Sequence, residues 1–431
     1  MLFQKINISI IGTGYVGLPT ALGFSKLGHN VTCIDNNNIK IQELKNGIIP
    51  IYEKGINTLF FKEYKKITFT TSIKDGISNA DIIIIAVGTP TNKKTNEADL
   101  SYLFNAVNEI KIYLNKRTKL IVTKSTVPVK TGDKIEKIIN NSNIDIISMP
   151  EFLREGFALE DFFNPDRIVI GANNKRYLYL IKKLYRKIKR PIIYTDRTSA
   201  ELIKYTANAF LAIKINYINE IADLCENINA NIDDVAKGIG ADSRIGNKFL
   251  KAGIGYGGSC FPKDTQAMAT FGNKYNVNLT LVKDAIINNK KRQKNIANKI
   301  YNIISQINEK QINVGILGLA FKNNTDDCRE SPSINIIKSL LKHKNINIIA
   351  HDYKAINTAK QILNNKISYS NNIEDVINNA DIICILTEWE EYKKIDFSLL
   401  YPRHKIIFDG KNLLDKNKLK GYQYYCIGKR G

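Results

Sequence analysis

Tryptophan occurs once in these 431 residues, methionine three times, histidine four times and cysteine six times. Six cysteines in so long a chain do not make a disulfide scaffold. None stands in a CxxC pair or near a zinc-type histidine cluster, so no structural metal is expected. None of the histidines falls in a motif, so a histidine base is not expected either. No apolar run reaches membrane-spanning length; the longest, Ile82 to Val87, is the size of a strand. Met1 to Ile11 lacks a basic stretch followed by a long apolar one, so no secretory leader is expected, and reduced thiols fit the cytoplasm. Acidic residues are scarce, 41 against 63 Lys and Arg, leaving a net charge of +22. That charge is spread through every segment, with no basic arm or arginine stripe. It therefore points away from nucleic acid and suits a small anionic substrate.

The length calls for two or three domains, each with its own core. Ile6 to Ile11 reads as a buried strand that enters Gly12-Thr-Gly14-Tyr15-Val16-Gly17, and a helical pattern follows to Leu27. In a strand, G-x-G-x-x-G, helix sequence the first glycine allows the tight turn. The second lets the backbone approach a pyrophosphate, the third lets helix and strand pack, and the helix N-terminus faces the anion. The next strand, Asn30 to Ile34, ends in Asp35, where a carboxylate can bind a ribose 2′-hydroxyl and would repel a 2′-phosphate. NAD is expected rather than NADP. Strands Asp81–Val87 and Lys119–Thr123 run into loops containing Thr89 and Thr126, which fall on the ligand side of an open parallel sheet. Taken alone, either loop is equally an ordinary turn.

Thr198 to Glu226 contains neither Pro nor Gly and reads as one long helix, apolar on more than one face and so buried on several sides. Lys204 and Asn208 are four apart and share a face. As residues alone they are either a partnered buried pair or a lysine reaching for solvent beside an asparagine. Beyond Arg244 comes Phe249-Leu250-Lys251-Ala252-Gly253-Ile-Gly-Tyr-Gly257-Gly-Ser-Cys260-Phe-Pro-Lys263-Asp264. Glycine permits backbone conformations other residues resist and lets a ligand come close. By itself the run is also consistent with a surface turn carrying a small buried cysteine.

Near Gly315 the opening pattern returns. Gln311 to Ala320 parallels Lys5 to Gly14, Ile346 to Asp352 parallels Asn30 to Asp35, and Asn379 to Leu386 parallels Asn79 to Ala86. This is an internal pseudo-repeat of a mononucleotide-binding unit. The second copy lacks the glycine fingerprint and is not expected to hold a dinucleotide the same way. Its first loop, Phe321 to Pro332, carries Lys322 and Arg329, suited to phosphates. The expected fold is α/β, with two Rossmann-like doubly wound domains joined by a long central helix. The expected segments are an NAD-binding domain at 1–196, a helical middle with the cysteine loop at 197–300, and a second nucleotide-type domain at 301–431.

With these motifs in order, joined by Ser125-Thr-Val-Pro128, Pro150-Glu151-Phe152-Leu153-Arg-Glu155 and Asn164-Pro-Asp-Arg-Ile, nearly the whole chain resembles the UDP-glucose 6-dehydrogenase family. The resemblance implies an NAD-dependent, four-electron oxidation of UDP-glucose at C6 by a cytoplasmic homodimer, with 197–300 as the dimerisation domain and 301–431 as the UDP-sugar domain. By the same matching, Cys260 is the nucleophile and Lys204 and Asn208 stabilise the oxyanion. Asp264, Thr126 and Glu155 serve the water and the proton transfers. Gly12, Gly14, Tyr15, Val16, Gly17, Asp35, Lys40, Thr89, Thr126, Glu155, Lys263 and Arg329 match cofactor contacts. Glu151, Phe152, Leu153, Glu155, Lys204, Asn208, Phe249 to Gly253, Gly257 and Lys322 match substrate contacts, and Arg244 matches a residue reaching the neighbouring subunit's site. Relatives that oxidise N-acetylated UDP-hexosamines typically have His before the cysteine and Val-Asp after it; Ser259 and Phe-Pro-Lys-Asp here favour glucose. A non-catalytic nucleotide-sugar binder is the alternative of another class. Ser148-Met149 before Pro150 and Asn323-Asn324 after Lys322 depart from the usual pattern without removing a matched residue.

Overall fold

The structure, a computed structural model, describes residues 5–92, 94–400 and 402–429. The start of the Met1 to Ile11 stretch and the last two residues of the expected 301–431 segment lie outside it. By packing, the chain divides into two compact units, Met1–Ala207 and Asn208–Gly431.

In the first unit, strands β1 (Asn7–Ile11), β2 (Asn30–Ile34), β3 (Ile67–Thr70), β4 (Ile82–Ile85), β5 (Leu120–Thr123), β6 (Asp145–Ser148), β7 (Ile168–Ala172) and β8 (Ile192–Thr195) form one sheet. Its order is β3-β2-β1-β4-β5-β6-β7-β8. All neighbours run parallel except β6 and β7. The four isoleucines of β4 explain why this sheet is covered on both faces. Side chains alternate along a strand, and here Ile82 and Ile84 enter one apolar cluster while Ile83 and Ile85 enter the other. The strand order reverses between β1 and β4, which is where ligands of such sheets bind.

The second unit repeats the device with six parallel strands: β9 (Ile312–Leu317), β10 (Ile346–His351), β11 (Ser368–Tyr369), β12 (Ile382–Ile385), β13 (Ile406–Asp409) and β14 (Gln423–Cys426), in the order β11-β10-β9-β12-β13-β14. Ile382 and Cys384 face one core, Ile383 and Ile385 the other. Helices Ile232–Gly240, Phe261–Lys274 and Thr280–Ile304 precede this sheet.

The long helix is Arg197–Ile228, 32 residues, longer at both ends than the sequence pattern suggests. Asp196 caps its start, accepting from Ser199 N and Ser199 Oγ. It is expected to be buried on several sides, and one apolar row is not. Leu202, Phe210, Tyr217, Leu224 and Ile228 remain exposed, with Phe210, Tyr217 and Leu224 seven residues apart along one row. Periodicity registers an apolar face but does not say whether the chain's own core or another surface covers it.

Candidate active site

The turn after β1 has the backbone its glycines allow. Gly12 sits at φ +99° and a Cβ there would come within 2.5 Å of Ala86 O, while a Cβ on Gly17 would collide with Gly12 O. Gly14 differs: a Cβ there would meet nothing within 4 Å. Two glycines thus make the turn and one faces open space, as a pyrophosphate approaching the main chain requires. Asp35 Oδ2 accepts from Thr13 N (2.9 Å), Thr13 Oγ1 (2.7 Å) and Lys40 Nζ (3.2 Å), and Oδ1 accepts from Asn37 N (3.1 Å). Burial pushes its carboxyl up, but the hydrogen bonds from Thr13 and Asn37 and the Lys40 ammonium outweigh this and hold it below its ordinary value. An ionised Asp35 with a lone pair left on Oδ1 fits a ribose hydroxyl. Thr89 Oγ1 donates to Thr126 O (2.8 Å), tying together the loops after β4 and β5.

The loop after β6 is held by charge. Glu151 Oε1 pairs with Lys204 Nζ at 3.2 Å, and Oε2 accepts from Leu153 N at 2.5 Å. The Phe152 ring lies 5.3 Å from Lys204 Nζ and 3.6 Å from the Arg167 guanidinium. Further along, Glu53 accepts from Gly156 N (2.6 Å) and Ala158 N (3.2 Å), so the half-buried Glu155 stands in a braced loop. On the long helix, Arg197, Glu201, Lys204 and Asn208 follow at steps of three or four and share a face. Buried Glu201 takes Lys130 N (2.6 Å), Gly132 N (2.8 Å) and Ser148 Oγ (2.9 Å), and Arg197 pairs with Asp133 and Glu136.

In the second unit, Cys260 is the N-cap of helix Phe261–Lys274, with Ser259 Oγ 3.6 Å from its sulfur. Asp264, fully buried one turn on, accepts from Asn208 Nδ2 (2.6 Å) through Oδ2 and pairs with Lys263 Nζ (2.6 Å) through Oδ1. Five of the six cysteines are buried and Cys260 is not. Burial pushes the Cys33, Cys328 and Cys384 thiols far up, and that of Cys426 up to about 11. Phe249 holds φ +65°, rare for an aromatic residue, and its ring lies 6.0 Å from that of Phe261. Leu250, Ala252, Gly253 and Gly257 are buried and Lys251 is exposed. Lys322 stands over the Phe321 ring, and Arg329 makes a two-pronged pair with Asp327, Nε donating to Oδ1 and Nη2 to Oδ2. Arg244 projects outward beside Asp242.

Within the first unit, therefore, Glu151, Phe152 and Lys204 meet, as do Thr89 and Thr126. Within the second, Asn208, Lys263 and Asp264 meet beside Cys260. Sequence reasoning passed over Glu53, Glu201 and Lys124. Lys124 follows β5 directly. The register Thr123↔Ser148 sets it beside Met149, two residues before Glu151. It is buried, and burial pulls its ammonium down to about 8, opposed by the Glu151 carboxylate and reinforced by the Lys204 ammonium.

The chain matches the model of the UDP-glucose/GDP-mannose dehydrogenase family in three parts: NAD binding domain over residues 6–189, central domain over 198–291, UDP binding domain over 315–416. It is 43% identical over 436 residues to UDP-glucose 6-dehydrogenase YwqF of Bacillus subtilis, covering 99% of this chain and 98% of that one. Among solved structures it is similar to a UDP-glucose dehydrogenase of Pyrobaculum islandicum, with TM-score 0.91, 32% identity and coverage of 100% and 99%. A UDP-D-ManNAc dehydrogenase of Pyrococcus horikoshii gives TM-score 0.86 at 25% identity, with coverage of 98% and 99%.

The buried Lys124 makes a stability prediction. Between about 8 and the ordinary lysine value of 10.5, the unfolded chain binds the proton that the folded chain has released. Stability from this group therefore rises with pH through that window. Lys124→Met removes the slope. Urea midpoints of the native chain and the variant, measured below and above the window, should show the native chain gaining on the variant as pH rises. A pH-independent difference would mean that Lys124 carries no burial penalty.

Proposed function

The chain belongs to the UDP-glucose/GDP-mannose dehydrogenase family, and we propose that it oxidises the C6 hydroxymethyl group of UDP-glucose to a carboxylate, using two NAD in turn. The reading rests above all on one thiol: of six, Cys260 alone is not buried, and it caps a helix whose positive end favours an anionic sulfur. The segments keep their expected roles: 1–196 for NAD, 197–300 for pairing of subunits and the thiol, 301–431 for UDP.

NAD supplies the hydride acceptor. The Gly12–Gly17 turn and Asp35 hold it, with Tyr15, Val16, Lys40, Thr89, Lys263 and Arg329 as further contacts. The first oxidation leaves an aldehyde. The Cys260 thiolate adds to its carbon, and the carbonyl electron pair moves to oxygen as a sulfur–carbon bond forms. Lys204 and Asn208 stabilise that oxyanion as fixed donors. Loss of hydride from the carbon and of the hydroxyl proton converts the thiohemiacetal to a thioester. Water then adds, the carbon–sulfur bond breaks and the thiolate is restored. Holding the aldehyde covalently divides a hard step and keeps a reactive intermediate bound. Thr126, Glu155 and Asp264 serve the water and proton transfers. Glu151 to Leu153, Phe249 to Gly253, Gly257 and Lys322 hold the nucleotide sugar, and Arg244 reaches the partner's site. Cysteines kept as thiols fit a reducing cytoplasm.

A homodimer completes the reading. The exposed row Phe210, Tyr217 and Leu224, each at least half exposed, has the spacing of a helix–helix seam.

A purified-protein assay with UDP-glucose should yield two NADH per sugar consumed, and faster turnover of UDP-N-acetylglucosamine would overturn the choice of sugar. Cys260→Ser should bind UDP-glucose normally yet lose overall turnover by roughly a thousandfold or more; full turnover would rule out the covalent route. Phe210→Asp should shift sedimentation from dimer to monomer, since a buried phenyl contributes about 1.5–3 kcal/mol; an unchanged sedimentation coefficient would place the interface elsewhere.

A further inference from the structure

The glycine loop does not hold its own shape. Gly253 and Tyr256 are buried, so their peptide groups need partners away from water. The partners come from two helices. Gly253 N donates to Asn219 Oδ1 (2.8 Å), and Gly253 O accepts from Arg292 Nε (3.0 Å). Tyr256 N donates to Asn289 Oδ1 (2.9 Å), and Asn289 Nδ2 donates back to Tyr256 O (2.9 Å). Asn289 thus closes a two-way clamp on a single residue, and the direction of both bonds fixes which way its amide points. Between the two clamped residues lies Gly255, at φ +114°. A Cβ there would come within 2.7 Å of Asn289 Oδ1, so the chain passes too close over this amide to carry a side chain. Downstream, Gly258 N donates to Arg329 O (3.0 Å), and a Cβ on Gly258 would meet the Phe321 ring at 2.6 Å. The loop is pinned by helix Thr280–Ile304 at one end and by the Phe321–Glu330 loop at the other.

We propose that Asn289, with Asn219 and Arg292, is a positioning residue for substrate: it sets the backbone of residues 253–257 in the form that receives the nucleotide sugar. The proposal rests on the function argued above, in which Phe249 to Gly253 and Gly257 hold the sugar nucleotide. None of the three side chains need touch the ligand. Each acts through a main-chain group of the loop. On the same reading NAD is held chiefly by the first unit's turn, and its second-unit contacts Lys263 and Arg329 lie outside the clamped residues 253–257, so its binding should change far less than that of the sugar nucleotide.

The test uses the full chain, with steady-state kinetics for both substrates, UDP affinity by calorimetry and thermal melting. Asn289→Ala should raise the KM for UDP-glucose and weaken UDP binding by about tenfold or more, the worth of two buried hydrogen bonds. The KM for NAD should stay within about twofold. Asn289→Asp keeps the acceptor for Tyr256 N but loses the donor to Tyr256 O, and should fall in between. Gly255→Ala should reproduce the defect from the loop side. Combined with Asn289→Ala it should cost less than the product of the single effects, because the clash with Asn289 Oδ1 is gone and only the strain of an alanine at φ +114° remains. The proposal is overturned if folded Asn289→Ala keeps the native UDP affinity, if the KM for NAD rises in step with that for UDP-glucose, or if the two substitutions multiply. A native chain that binds UDP yet makes no NADH from UDP-glucose would sink the function itself. UDP affinity across the variants would then still decide on the clamp.

Discussion

A buried stretch of backbone has to find hydrogen-bond partners, and a glycine-rich one brings no side chains to supply them. This requirement organises the second unit. The peptide groups at Gly253 and Tyr256 are met by Asn219, Asn289 and Arg292, all themselves buried, from two different helices. Arg292 is in turn paired with Asp223. The loop emerges from this frame directly into Cys260, the cap of the next helix. A thiol at a helix start is only as well placed as the backbone leading to it, so the rigidity of the loop and the reactivity of the sulfur are one problem.

The first unit solves a related problem with charge. Arg197, Glu201 and Lys204 on the long helix are each held by groups of the same unit: Asp133 and Glu136 of helix Thr131–Ile139, the amides of Lys130 and Gly132 at that helix's start, and Glu151. Buried ions are costly alone and tolerable when paired and hydrogen-bonded. Here the pairing fixes the rotation of the helix about its axis. That rotation decides where Lys204 points, and Asn208 follows it one turn later. Lys124 adds a second ammonium near Glu151, so two buried lysines share the influence of one buried carboxylate.

What could be read in the chain beforehand was whatever its physics makes local. The turn from Gly12 to Gly17, Asp35 at the end of β2, and the isoleucine runs of buried strands each follow from a few neighbouring residues, and the repeat in the second half follows from comparing such runs. Cys260 was legible because glycines and a cysteine packed so closely are unusual. The supports were not. Asn289 and Arg292 sit on a helix where polar residues at these spacings look like a solvated face. Glu201 reads as a surface glutamate, and Lys124 as a loop lysine. Their importance lies in contacts with residues tens of positions away, and no local pattern carries that information. The row through Phe210, Tyr217 and Leu224 was legible as an apolar face, but an apolar period alone does not say what covers it.

The two halves also show how one topology comes to serve two ends. Asp35 and Asp352 occupy matching places, each just beyond the second strand of its sheet. Asp35 Oδ1 accepts one hydrogen bond and has capacity left for a ribose hydroxyl. Asp352 has none to spare. Its Oδ2 takes Leu319 N (2.7 Å), Ala320 N (3.0 Å) and Trp389 Nε1 (3.2 Å), and its Oδ1 takes Lys354 N (2.9 Å) and Ala355 N (2.9 Å). The carboxylate that keeps acceptor capacity in the first half is a strut in the second, bracing residues 319 and 320 at the root of the loop that carries Lys322 and Arg329. Loss of the glycine fingerprint and saturation of this carboxylate go together: once no pyrophosphate crosses the turn, the acid is free to hold the loop instead. A duplicated fold therefore need not duplicate its ligand, and the difference between the halves can be counted in the hydrogen bonds on one side chain.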